Sequence, residues 1–364
     1  LRMKIMKNKV VRNSNIELLR LIAIIGIIIS HFCVHQVYPD FTLNNINLQS
    51  FFVQFLHLGC IGNHIFIIIT GYFLINKNFD FKKIVRLLLE MLFYSIVIGS
   101  IFIIVNGDFS VKEVIKMIFP LFWGNWFVIY YILLFFLYPF LNKFAKSISK
   151  NEFKLFLIIC IILVFIIPSL TFNAWSFNEH TIFVIDYLIG TYIFMYFDDK
   201  KYNNNKIKNM LIFLFASYVA IALLLYILTF VFHNMLFYDM ICYFIGTNYS
   251  ILSLLFACII FLYCLTKTPK KSSTINYLSG SVLGIYLIHE NDYMRKFIWE
   301  TLLPIENFIF SYKFYYIFIL KVFGVFFFCI VIDIIRRLLF TKIENKIAIF
   351  LDNLFHKIKK IDLP

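Results

Sequence analysis

The chain has 364 residues, 62% of them hydrophobic and 15% charged, with a mean hydropathy of +0.85. A soluble domain of this length needs far more polar surface, so the composition excludes one and implies an all-α, polytopic membrane protein. The net charge of +14 is not a nucleic-acid signal, because the basic residues fall in alternate connections between apolar runs.

Along the chain about ten spans are expected: 15–35, 51–75, 83–105, 125–143, 153–171, 181–197, 208–232, 246–266, 276–291 and 314–339. Basic residues precede the first (Arg2, Lys4, Lys7, Lys9, Arg12) and follow the second (Lys77, Lys82, Lys83). They return after the fourth (Lys143, Lys146, Lys150), sixth (Lys200, Lys201, Lys206, Lys208) and eighth (Lys267, Lys270, Lys271). Connections 36–50, 172–180 and 233–245 carry no Lys or Arg. This alternation predicts two cytoplasmic termini. The first run is expected to be a retained span, since no small-residue cleavage signal follows His31. Cys33, Cys60, Cys160, Cys242, Cys258, Cys264 and Cys329 lack CxxC or metal-type spacing and are expected as small core residues.

The first span carries Glu17, Arg20 and His31. Eleven helical steps bring Arg20 and His31 to one face within roughly 20°, about 16 Å apart along the axis. Ionisable groups at membrane depth are costly and mark a site, a pathway or a partner. Glu17, one turn before Arg20, supplies its counter-ion in one reading. In the other, Arg20 faces a cavity and takes a phosphate entering from the cytoplasm. A phosphate there with a reacting atom at His31 implies an elongated ligand, and a pantetheine arm has about that reach. The imidazole is the candidate proton acceptor.

In span two, His57 and His64 are nearly cofacial, but no carboxylate or thiolate accompanies them and His31, so no metal site is assigned. Thr70-Gly71 allows close backbone approach or a helix break. Span three opens with Arg86 and Glu90 at ion-pair spacing, and Arg86 is also placed to join Arg20 in binding phosphate. Between spans three and four, Val111 to Phe119 is amphipathic and is expected at the outer interface. Trp126 opens span four as an interfacial anchor or a stacking surface for a sugar ring. Span nine ends in Tyr286, His289 and Glu290, followed by Arg295, a cluster suited to an acceptor or to proton transfer. Lys321 in span ten needs a partner, for which Asp186 is the expectation. Residues 341–364 alternate Lys with apolar residues and are expected as an amphipathic tail on the cytoplasmic leaflet.

Four segments then resemble the acyltransferase-3 family of integral-membrane acyltransferases. RNSNIELLRLIAIIGIIISHF carries that family's Arg and His with ten residues between them, here Arg20 and His31. IFIIITGYFL resembles its second-span signature with Thr70 in place of Ser. WFVIYYILLFFLYPFLN and GIYLIHEN resemble its fourth-span and GIYLIH-type motifs, and IDIIRRL around Asp333 and Arg336 is similar too. Where the family often has an acidic residue after the fourth-span Trp, this chain has Tyr130 and Tyr131.

The resemblance covers about residues 12 to 340 and implies one domain over 1–364, with 15–340 spanning. It implies transfer of an acyl group, most often acetyl, from cytoplasmic acyl-CoA to a hydroxyl of a cell-envelope glycan. The enzyme would sit in a bacterial cell membrane alongside polysaccharide-synthesis proteins. Acyl-CoA is then a co-substrate, with no bound cofactor. His31 becomes the candidate catalytic residue and Arg20 and Arg86 the donor-binding residues. Glu17, Trp126, Tyr286, His289 and Glu290 become acceptor or supporting residues. The competing reading is a transporter or flippase for a lipid-linked sugar, in which the same buried charges line a path.

Overall fold

The first apolar run folds as helix α1 (Ser14–His35) in the computed structural model, which describes residues 13–107, 110–123, 126–171, 177–198 and 203–359. Arg2, Lys4, Lys7, Lys9, Arg12, Lys200, Lys201, residues 172–176 and the last residues of the tail lie outside them. Asn13 caps α1 by accepting from Asn15 N–H, which satisfies one of the open donors of the first turn.

The remaining helices follow in order. They are α2 (Leu48–Phe55), α3 (Gly59–Leu74), α4 (Phe81–Asn106), α5 (Val111–Ile118), α6 (Pro120–Trp123) and α7 (Trp126–Ser147). Then come α8 (Lys150–Ile161), which passes through a wide turn into α9 (Ile167–Leu170), α10 (Glu179–Tyr196) and α11 (Asn204–Val231). The series ends with α12 (Leu236–Gly246), α13 (Ile251–Thr266), α14 (Ser273–Leu278), α15 (Val282–His289), α16 (Asp292–Lys296) and α17 (Lys313–Lys359). All regular structure among the described residues is helical.

Eight stretches among the described residues are long and apolar enough to cross a membrane. Helix α10 and the broken stretch 273–289 are the other two expected spans. Their polarity has a physical reason. Helix α10 is packed between α3, α7 and α8, so its polar groups meet protein rather than lipid. Asp186 Oδ2 lies 2.6 Å from His64 Nδ1, and both side chains are fully buried. By contrast α11 turns Phe213, Leu224 and Ile227 outward, as a peripheral span must.

Several expectations are corrected. The second span is not one helix: it breaks at residues 56–58, between α2 and α3. The break does not fall at Gly71, which instead provides close approach. A Cβ on Gly71 would overlap the Tyr187 carbonyl, and one on Gly190 would overlap the Ile68 carbonyl. The backbones of α3 and α10 therefore cross in contact, as small residues permit. The connection 233–245 contains helix α12. The tail continues α17 without a break to Lys359. It packs back on α4, with Lys82 Nζ 3.3 Å from Asp352 and Phe81 stacked on Phe355 at 4.5 Å.

The basic connections meet one another at one end of the bundle. Ser14 N–H donates to the Lys270 carbonyl and Asn15 to the Thr268 carbonyl. Tyr138 donates to the Asn78 carbonyl at 2.5 Å, and Lys150 lies over the Tyr196 ring. Helix α1 sits at the centre, against α3, α13, α14, α15 and α17. Its ionisable face is enclosed by protein for that reason.

Candidate active site

At the basic end of α1, Glu17 is buried and accepts from the Ser279 hydroxyl at 2.7 Å. The same carboxylate oxygen lies 3.5 Å from one guanidinium nitrogen of Arg20. The ion pair and a cavity-facing position are compatible at Arg20. Glu17 neutralises it from one side, and Arg20 also lines a cavity of about 260 Å³. The cavity wall follows the predicted stripe of α1, Arg20, Ile24 and Ile27, and is completed by Phe66 and Thr70 of α3, Leu87 of α4, Phe127 and Tyr131 of α7, and five of the residues from Ser279 to Tyr286. Thr70 and Tyr131 hydroxyls bond at 3.0 Å across it.

Tyr286 also lines the cavity, and its ring centroid lies 6.5 Å from that of His31, which is not itself a lining residue. Here three elements converge. His31 and His35 come from the last turns of α1. His289 and Glu290 come from the end of α15, and Arg295 from α16. His31 Nδ1 is 3.0 Å from His289 Nε2 and 3.1 Å from Glu290 Oε2. His35 Nε2 is 3.4 Å from the same Oε2, and Arg295 holds Oε1 at 3.1 Å.

These contacts determine where the protons sit. His289 Nδ1 faces the Ile285 carbonyl at 2.5 Å. A carbonyl only accepts, so Nδ1 is the protonated nitrogen and Nε2 offers a lone pair. His31 Nδ1 thus faces two acceptors, His289 Nε2 and the Glu290 carboxylate, and carries its own proton there. The lone pair of His31 is left on Nε2, the arrangement of a general base oriented by a carboxylate.

Other predicted residues are placed differently. Arg86 is exposed and does not line the cavity, although its neighbour Leu87 does. Glu90 does not pair with Arg86. It reaches Arg336 of α17 at 2.9 Å, because buried Arg336 gathers the carboxylates around it, Asp333 at 2.9 Å and Glu344 at 2.6 Å as well. Lys321 is not paired with Asp186, which belongs to His64. Its ammonium donates to Gln36 at 3.1 Å and to the Trp299 carbonyl at 3.4 Å. Trp126 is exposed, edge-on to Phe127, Tyr130 and Phe183, and outside the cavity wall. His57 packs on Gly246 and does not join His31. Sequence reasoning missed His35, whose only signal was its position one turn after His31.

The family model described as an acyltransferase domain matches residues 13–335. No curated relative and no solved structure gives a match. The matched stretch runs from the cap of α1 to the buried Asp333 turn of α17 and includes every residue lining the cavity, so the chain belongs to the acyltransferase-3 family of membrane acyltransferases.

Proposed function

We propose that this protein moves an acyl group, acetyl in the simplest case, from cytoplasmic acyl-CoA to a hydroxyl of a cell-envelope glycan. The observation that carries the reading is a cavity lined both by Arg20 and by Tyr286, whose ring lies 6.5 Å from that of His31. Arg20 takes a donor phosphate, and Arg86, next to the cavity wall, is available to phosphates extending past it. The thioester lies toward His31. His31 Nε2 removes the proton of the acceptor hydroxyl, whose oxygen attacks the thioester carbonyl. The C–S bond breaks, and the imidazolium returns the proton to the departing thiolate. Glu290 and His289 hold the imidazole in the reactive tautomer and stabilise its charged form. In this reading both termini lie in the cytoplasm and the His31 end faces outward, where a glycan acceptor arrives.

The test uses purified protein, labelled acetyl-CoA and envelope glycan. His31→Ala is expected to slow transfer by about 10²–10⁴-fold while donor binding persists. Transfer by His31→Ala at the wild-type rate refutes the assignment.

A further inference from the structure

We propose that His31, His289 and Glu290, with His35 as fourth donor, form a binding site for a zinc-class divalent ion, and that filling this site switches the base off. The first half stands on geometry alone. The second half rests on the proposed role of His31.

One ligand atom from each of His31, His289 and Glu290 lies within 4.8 Å of the others. Two of the measured edges, 3.0 Å from His31 Nδ1 to His289 Nε2 and 3.1 Å from His31 Nδ1 to Glu290 Oε2, approach the edge of a tetrahedron around zinc, about 3.4 Å for ligands at ~2.05 Å. His35 Nε2, 3.4 Å from the same carboxylate oxygen, extends the set toward a fourth corner. Two imidazoles and a carboxylate with one further nitrogen suit zinc among the common divalent ions.

Glu290 Oε2 is buried, with ring nitrogens of His31 and His35 at 3.1 and 3.4 Å. His289 directs its Nε2 lone pair at the same point. Converging lone pairs are what a cation takes. The outer partners are those of a ligand set as well: His289 donates its other ring nitrogen to the Ile285 carbonyl, and Arg295 fixes Glu290 through the oxygen that faces away, Oε1. Such contacts orient metal-binding imidazoles and carboxylates.

Binding at His31 Nδ1 needs the lone pair of that nitrogen, so the one proton of the neutral imidazole moves from Nδ1 to Nε2 by exchange with water, with no net release. A neutral imidazole coordinated through Nδ1 carries its proton on Nε2. That is the nitrogen the transfer reaction needs unprotonated, so the ion-bound and reactive forms of His31 exclude each other.

The test titrates the full chain in detergent with Co²⁺ alone, without donor or acceptor. The expected result is one Co²⁺ per chain with the visible bands of a four-coordinate ion, displaced by Zn²⁺. Glu290→Gln and His289→Ala, each confirmed folded by its melting transition, are expected to bind at least roughly 10-fold more weakly. His233→Ala, at an exposed position distant in sequence, is expected to bind as wild type. Substoichiometric binding, or equal binding by Glu290→Gln and His289→Ala, overturns the site. Zn²⁺ is further expected to stop acetyl transfer until a chelator is added. Stoichiometric binding that leaves transfer intact overturns the switch and the base assignment with it, while the ion site stands.

Discussion

Glu290→Gln tests the orientation of His31 most directly. In the wild type the proton on His31 Nδ1 faces two acceptors, the carboxylate at 3.1 Å and His289 Nε2 at 3.0 Å. Glutamine keeps the shape but offers an amide NH₂ to Nδ1, which favours the tautomer with its proton on Nε2 and no base. Where a carboxylate alone orients a catalytic histidine, the corresponding amide change costs about 10⁴ in rate. Here His289 still accepts from Nδ1, so a loss of about 10² is expected, roughly 2.7 kcal/mol in the barrier. The double variant Glu290→Gln/His289→Ala is expected to fall to the level of His31→Ala and no further, because groups acting through one imidazole are not additive. The assay is single-turnover release of label from acetyl-CoA, with donor affinity measured separately. Arg295 keeps Asp292 at 2.9 Å, so its loop retains an anchor in the variant. Wild-type turnover by Glu290→Gln, with the protein folded, refutes the tautomer argument.

Further outcomes follow from the same contacts. Arg20→Lys keeps the charge but loses the planar fork, so the KM for acyl-CoA is expected to rise with little change in kcat, and a change confined to kcat contradicts a donor-phosphate role. His64→Ala leaves Asp186 buried without its partner at 2.6 Å and is expected to cost about 3–5 kcal/mol. The loss should be smaller when Asp186→Asn is added, as read by thermal unfolding in detergent. Gly71→Ala places a methyl group against the Tyr187 carbonyl and is expected to destabilise by at least about 1–3 kcal/mol. An unchanged melting transition would show that α3 and α10 can separate freely. At the α5 surface, hydrogen bonds from Tyr293 and Lys116 hold the Glu113 carboxyl below its ordinary value of 4.5. That contribution is present above the ordinary value and is lost as pH falls below it. Hydrogen exchange of the α5 amides should therefore quicken on acidification, and Glu113→Gln should remove the pH dependence.

What could be read from the sequence was whatever depends on the chain's own local order. Apolar run length against bilayer thickness places the spans, alternating basic connections predict a sidedness, and helical periodicity alone puts Arg20, Ile24, Ile27 and His31 on one stripe. The stripe is the cavity wall as far as Ile27. The family signature falls in these same local patterns. Partners distant in the chain were not legible. His31 meets His289 across 258 residues and His64 meets Asp186 across 122. Lys321 finds Gln36, and Glu90 turns from Arg86 to Arg336. A buried charge announces that it needs a counterpart, but several residues satisfy that need equally in one dimension, and only the packing angle of two helices selects among them. The tertiary fold also joined His35 to the cluster, left Arg86 outside the cavity and aimed the Nε2 lone pair of His31. Each of these is set by the orientation of α1 against α15 and α4, which the order of residues within any single span does not specify.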